Sequence, residues 1–182
     1  MSSNKQSWVG QAFPRTEDAA LLTGNARYID DLSPVPGIKH VSFLRSPYPH
    51  ARIIDIDVSA ALKLPGVYKV LTGDDISKIT DPLVSAIRAP VTYYPIAAEK
   101  VRYVGEPVAI IIADDRYLGE DAAEIIDVKY EQLSSVTDPL EAMNDGAPVL
   151  HERVGSNLLH DRNFVYGDPD TAFEKADRII QI

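Results

Sequence analysis

The sequence predicts an α/β (α+β) fold, a mixed sheet with β-α-β units and short helices, and three observations carry that prediction. Val108 to Ala113 is an unbroken apolar run of six residues, rich in β-branched side chains, bounded by Gly105-Glu106-Pro107 and Asp114-Asp115. Such a run marks a strand buried on both faces, the habit of a central strand. In Arg52 to Val58 the apolar Ile54, Ile56 and Val58 alternate with Asp55 and Asp57, so a period of two turns one face to a core. Between the central run and a second alternating stretch lies a helical pattern with Tyr117, Leu118, Ala122, Ile125 and Ile126, opened by the capping pair Asp114-Asp115.

Taken in order, the chain starts with a polar stretch, Met1 to Gln11, expected to be a flexible tail over residues 1–12. Thr23-Gly24-Asn25, Tyr28 to Asp31 and the turn Ser33-Pro34-Val35-Pro36-Gly37 read as loop and short-strand elements. Val41 to Arg45 is a strand, ended by the prolines of Ser46-Pro47-Tyr48-Pro49, which cannot donate to a ladder. After the Arg52 strand, Ser59 caps a short helix through Leu64, and Pro65-Gly66 stops it before the strand Val67 to Leu71. These three elements read as a first β-α-β unit.

Thr72 to Asp75 reads as a turn, and residues 76–100, interrupted by Pro82, Pro90 and Pro95, read as a long irregular connection and a candidate contact surface. Gly119 inside the next helix costs about 1 kcal/mol against Ala. Ile126, Val128 and Tyr130 alternate with Asp127, Lys129 and Glu131, completing a second β-α-β unit, right-handed if its strands are parallel in one sheet. Asp138-Pro139 and Asp168-Pro169 each set a capping carboxylate before a proline suited to the first helical position. Gly146 ends the first of these helices, and Arg178 to Ile182 alternates as a strand left open, as in a piece of a larger polypeptide.

Charge and composition exclude several functions. Of 182 residues 45% are apolar and 25% charged, enough for one compact domain or two small ones. Residues 1–91 carry ten Lys/Arg against nine Asp/Glu, residues 92–182 eight against eighteen, so the net charge of −9 sits in the second half. Basic side chains cluster nowhere, which argues against nucleic acid and for an acidic face toward a protein. With zero cysteines this polypeptide has no disulfide, thiolate metal site, iron–sulfur ligation or cysteine nucleophile. No apolar run approaches the roughly twenty residues of a membrane helix, and the N-terminus has no secretory pattern, so no membrane and a cytoplasmic location are expected.

No site motif emerges from the residues. The ten glycines never fall as GxGxxG or GxxxxGK[ST], and no GxSxG elbow occurs. His40, His50, His151 and His160 are isolated, without HxxxH or HExxH spacing; His50, between Pro49 and Ala51 at the start of a strand, is the first to inspect. Asp30-Asp31, Asp74-Asp75 and Asp114-Asp115 stand at turns and helix starts, where aspartate caps backbone amides. No catalytic, cofactor-binding or metal-binding residue is therefore assigned.

Five segments in order carry a resemblance: Gly24-Asn25-Ala26-Arg27-Tyr28-Ile29-Asp30-Asp31, Arg45-Ser46-Pro47-Tyr48-Pro49-His50-Ala51, Leu64-Pro65-Gly66-Val67, Val104-Gly105-Glu106-Pro107-Val108-Ala109 and Val128-Lys129-Tyr130-Glu131. Together they resemble the N-terminal a/b hammerhead domain of the large, molybdenum-binding subunits of the xanthine dehydrogenase and aldehyde oxidase family. The run Val108 to Tyr117 is most similar to the carbon monoxide dehydrogenase large chain. The resemblance covers residues 13–182, with 150–182 leading into a molybdopterin-binding domain.

That resemblance implies an oxidoreductase holoenzyme with a molybdenum–pterin cofactor, two [2Fe–2S] clusters and FAD on separate components. Substrate is oxidised at molybdenum with water-derived oxygen, and electrons pass through the clusters to FAD. The implied partners are the downstream molybdopterin-binding domains, the FAD subunit and the iron–sulfur subunit. The family's catalytic glutamate and cofactor-binding motifs lie downstream, so no such residue carries onto this chain, and the chain alone is expected to be inactive. A stand-alone, non-catalytic binding or scaffold module is the competing reading.

Overall fold

The computed structural model describes residues 9–32, 35–84 and 90–181. Most of the expected N-terminal tail, the Ser33-Pro34 step, residues 85–89 and Ile182 lie outside them. The chain divides into two compact units, Met1–Ile38 and Lys39–Ile182. In the first, α1 (Asp18–Leu22) is held at its start by Asp18, whose carboxylate accepts from the Arg15 amide at 3.1 Å and its Nε at 2.9 Å. Tyr28 to Asp31, read as loop or short strand, contains a 3-10 turn, Ile29–Asp31, in which Asp31 accepts the Tyr28 amide at 2.9 Å.

The second unit contains β1 (His40–Arg45), β2 (Ala51–Asp57), β3 (Val67–Thr72), α2 (Gly73–Ile79), β4 (Lys100–Val101), β5 (Pro107–Ala113), α3 (Arg116–Glu124), β6 (Asp127–Gln132) and α4 (Pro169–Glu174). Two three-stranded sheets form, ordered β1-β5-β3 and β4-β2-β6, and every pairing is antiparallel. Successive strands alternate between the sheets, so neither expected β-α-β unit closes within one sheet. The Val58–Gly66 link between β2 and β3 contains only a 3-10 turn, Ala61–Lys63, and is shorter than the dozen or so residues a parallel crossover requires. Ser59 is not its cap: Asp57 instead accepts the Ser59 amide at 2.9 Å. The longer link through α3 packs its helix on the first sheet and delivers the chain to the second.

The central-strand expectation holds for β5, which lies between β1 and β3. Ala109, Ile111 and Ala113 on one face are fully buried, and Ala109 and Ile111 join Ala61, Val70, Ala122 and Ile126 in the main core. The other face closes only at Val108, which packs with Ala51, Ala97 and Val101 in a smaller cluster. Ile110 and Ile112 on that face are only half-buried, so β5 is not enclosed on both sides.

A bulge in β2 corrects the core assignment there. Ile53 pairs with Tyr130 and Asp55 with Lys129, which leaves Ile54 as an extra residue facing solvent, 61% exposed. The inserted residue switches the parity, so Ile53, Ile56 and Val58 face the clusters in place of the Ile54, Ile56 and Val58 set. α3 starts as expected, with Asp115 accepting the Leu118 amide at 2.9 Å. Gly119 is required by close approach: a Cβ there would lie 2.3 Å from Ser42 Oγ on β1. Asp138 accepts the Leu140 and Glu141 amides at 2.7 and 3.0 Å but opens only a 3-10 turn, Glu141–Met143. α4 is capped as expected by Asp168, bound to the Thr171 amide and hydroxyl at 3.1 and 2.6 Å. Arg178 to Gln181 forms no strand and is exposed, because no sheet edge runs beside it.

Candidate functional site

In the second unit a cleft of about 300 Å³ lies between α2, the 90–102 segment and the 151–154 loop. One wall arises because Thr72 to Asp75 is a helix start, not a turn. Asp75 accepts the Thr72 amide at 3.0 Å and its hydroxyl at 2.9 Å, and these two bonds hold the carboxyl below its usual range. α2 then presents Asp74 and Ser77 to the cleft, and Gly73 admits the facing backbone, since a Cβ there would come within 2.3 Å of the Ala97 carbonyl. The expected irregular connection of residues 76–100 thus begins as helix through Ile79 and lines the cleft from Pro90 onward.

Glu106, from the Val104-Gly105-Glu106-Pro107 segment that leads into β5, also lines the cleft. Glu106 is 5% exposed, and its carboxylate accepts the Arg102 amide. Burial pushes its pKa above the usual carboxylate range, opposed by the Arg102 and Tyr103 amides and the Arg102 charge. Arg102 itself is turned to backbone, its Nε donating to the Leu150 carbonyl at 3.1 Å and Nη1 to the Lys100 carbonyl at 3.3 Å. Above it, burial and then a hydrogen bond with the Tyr103 hydroxyl push the Tyr93 phenol well beyond its ordinary range.

The far wall is tied in place by side chains. Buried Lys100 donates to Glu152 Oε1 at 2.7 Å, which lowers the Glu152 pKa. Asn157 accepts the Leu150 amide at 3.0 Å and donates to the Ala142 and Pro148 carbonyls at 2.9 Å each. His151 lines the cleft, and burial followed by the Arg102 charge lowers its pKa, so it stands neutral at pH 7. The basic groups Lys100 and Arg102 therefore hold the walls together, and the cleft offers a partner tyrosine rings and hydrogen-bonding surface beside the charged side chains of Asp74, Glu99 and Arg153.

The histidines remain apart. His40 on β1 and His160 are exposed, His151 lines the cleft, and His50 is buried. His50 Nδ1 lies 2.6 Å from the Ser134 carbonyl and donates to it, which leaves Nε2 as an acceptor with no hydrogen-bond partner among the described residues. The aspartate pairs serve as caps and ties: Asp31, Asp75 and Asp115 hold backbone amides, and Asp114 binds Lys39 Nζ at 2.7 Å and the Tyr68 hydroxyl at 2.9 Å. The cleft residues Tyr93 and Tyr94 carried no motif, and Glu106 stood out only as part of the Val104–Ala109 segment of the resemblance. The helical wall was missed, and the signal that could have found it is Thr72-x-x-Asp75 followed by Ile76 and Ile79.

Iron–sulfur clusters need thiolates, of which the sequence has none, and no three His, Asp or Glu side chains among the described residues converge as metal ligands. No helix among the described residues is long and apolar enough to cross a membrane.

Comparison with known proteins gives the architecture its family. The profile described as aldehyde oxidase and xanthine dehydrogenase, a/b hammerhead domain, matches residues 23–134. The 6-hydroxypseudooxynicotine dehydrogenase complex subunit gamma of Paenarthrobacter nicotinovorans is 38% identical over 98% of this chain and 23% of its own length. The carbon monoxide dehydrogenase large chain of Hydrogenophaga pseudoflava is 37% identical over 86% of this chain and 20% of its own. Among solved structures, quinoline 2-oxidoreductase from Pseudomonas putida 86 superposes with a TM-score of 0.81 at 34% identity, over 97% of this chain and 23% of that one. The chain thus spans about a fifth of the relatives it matches, and the carbon monoxide resemblance is shared almost equally with a subunit of a different dehydrogenase. By its profile, its relatives and its pair of three-stranded sheets, the chain belongs to the aldehyde oxidase and xanthine dehydrogenase family, of which it carries the a/b hammerhead domain.

Proposed function

We propose that residues 13–182 serve as the N-terminal hammerhead domain of the molybdopterin-binding large subunit of a molybdenum hydroxylase, with 150–182 leading toward the molybdopterin-binding domains. One observation carries this reading: similarity runs along 98% of this chain yet only 23% of a relative that is the gamma subunit of a dehydrogenase complex. In the complete enzyme the molybdenum–pterin cofactor supplies oxidation of the substrate, while [2Fe–2S] clusters and FAD relay the electrons. This chain supplies none of their ligands. It supplies surface, against the downstream domains and against the FAD and iron–sulfur subunits, in a cytoplasmic complex.

The cleft fits that role. Its walls are fixed by internal bonds from Lys100, Arg102 and Asn157, so it meets a neighbouring domain preorganised, with little side-chain entropy left to lose. Elemental analysis and activity assays test the assignment. The purified chain is expected to bind no molybdenum and to oxidise neither carbon monoxide nor aldehydes, and to co-purify with the molybdopterin-binding domains when expressed beside them. Molybdenum near one per chain would overturn the claim that the ligands lie elsewhere. Failure to co-purify would favour the stand-alone module.

A further inference from the structure

The first sheet has one face on which no helix or strand among the described residues of the second unit packs. The register sets Val41 opposite Ile112 and Ile112 opposite Lys69, and in the next row Phe43, Ile110 and Leu71. These side chains share one face, because directly opposed residues of an antiparallel ladder point the same way. The opposite face is filled by Val70, Ala109 and Ile111 and covered by α3. On the open face Val41 is 54% and Phe43 44% exposed. Ile110 and Ile112, flanked by a strand on each side, are only partly buried, in contrast to the fully buried Ile111 on the covered face. Five contiguous apolar side chains on a flat sheet form a patch of the kind that marks an interaction surface.

The rim carries positive charge. Lys69 is exposed at the end of one row, and the Arg45 guanidinium lies 5.4 Å from the Phe43 ring centroid while donating to the Gly105 carbonyl at 2.9 Å. A second copy of the chain would set two basic rims against each other, so charge disfavours it. The complementary occupant is an apolar stripe flanked by carboxylates. About four fifths of each matched relative lies outside the part this chain spans, and a large apolar face needs a layer from such polypeptide to leave water.

We propose that the face Val41, Phe43, Leu71, Ile110 and Ile112 docks an amphipathic, acidic-flanked segment of the remaining large-subunit polypeptide, with Lys69 and Arg45 setting its register. This inference rests on the assignment of the chain as a large-subunit domain.

The absence of cysteine makes the test direct, since Val41→Cys introduces the only thiol of this chain. The variant is expressed with the full molybdopterin-binding polypeptide and the partner subunits, and its maleimide labelling is followed by peptide mass spectrometry. In the assembled enzyme labelling at position 41 is expected to be about tenfold or more slower than at Asp145→Cys on an exposed turn, with the difference abolished in urea. Protection must persist when the FAD and iron–sulfur subunits are removed. Lys69→Glu is expected to make the assembly dissociate at lower salt.

Equal labelling of positions 41 and 145 in an assembled enzyme overturns the proposal while leaving the domain assignment intact. Protection that appears only with the FAD or iron–sulfur subunit overturns it too, as does protection that grows with the concentration of this chain alone. Failure of the polypeptides to assemble overturns the domain assignment itself, and the docking face with it.

Discussion

Glu106 shows how one buried carboxyl couples packing to pH. It sits beneath the cleft, 5% exposed, with its pKa raised by burial above the ordinary 4.5. Between that value and its folded pKa the native state holds a proton that the unfolded chain has released. Stability from this group is therefore greatest in acid and falls as pH rises through the interval. Glu106→Gln keeps an oxygen to accept the Arg102 amide and removes the charged form. Relative to the parent, its melting temperature is expected to rise by about 2–4 °C at pH 7 and to converge near pH 4, as followed by circular dichroism.

Asp75 has the opposite sign. Its folded pKa lies below the ordinary 3.8, so its contribution is present above that value and lost as pH falls through the depressed one. Asp75→Asn is expected to remove that acid-side dependence in denaturant titrations between pH 5 and pH 2. A parent and variant with parallel pH profiles would show that the Thr72–Asp75 bonds are not formed in solution.

At the scale of elements, close approach decides where helices sit. Gly119 lowers the intrinsic propensity of α3 but lets the helix reach Ser42 on β1. Gly119→Ala is expected to destabilise the fold by about 1–3 kcal/mol in urea titration despite better propensity, because its methyl group would overpack the contact. Adding Ser42→Gly should recover part of that loss. Loss of the α3 cap is a milder change: Asp115→Ala is expected to cost about 1 kcal/mol, leaving the Leu118 amide without its partner.

Elements were legible where a local pattern and its tertiary setting agree. The β5 run, the Asp115 and Asp168 caps and the strand Val67 to Leu71 fall where periodicity and capping chemistry put them. The misses have local causes as well. A bulge at Ile54 reversed the side-chain parity of β2, a change that no alternation in sequence can announce. α2 was hidden because Thr72-Gly73-Asp74-Asp75 has turn composition, whereas the Thr72–Asp75 bonds start a helix there and Gly73 lets it approach the Ala97 carbonyl. The Arg178 segment has strand-like alternation with no edge to join.

At the scale of the whole molecule, the lopsided charge becomes a located surface. Glu120, Asp121 and Glu124 project from the exposed side of α3, whereas Ala122 faces the core. Reversing all three to lysine is expected to weaken capture of the molybdopterin-binding domains by about tenfold at low salt, and much less at high salt, where the Debye length shrinks to about 3 Å. Undiminished capture would remove this acidic side of α3 from the interface and leave the cleft and the apolar face of the first sheet as docking surfaces.

The sequence by itself determined the family and much of the element list, because five ordered motifs and several caps are local features that a linear reading can see. It also determined that thiolate-bound clusters lie elsewhere, since the chain contains no cysteine. Only the tertiary structure decided that successive strands alternate between two antiparallel sheets, that a cleft is lined by Glu106, and that β5 is fully buried along one face but on the other only at Val108. Strand partnership, burial and the uncovered side of a sheet depend on residues far apart along the chain, and the β5 run reads the same whether one of its faces or both are closed.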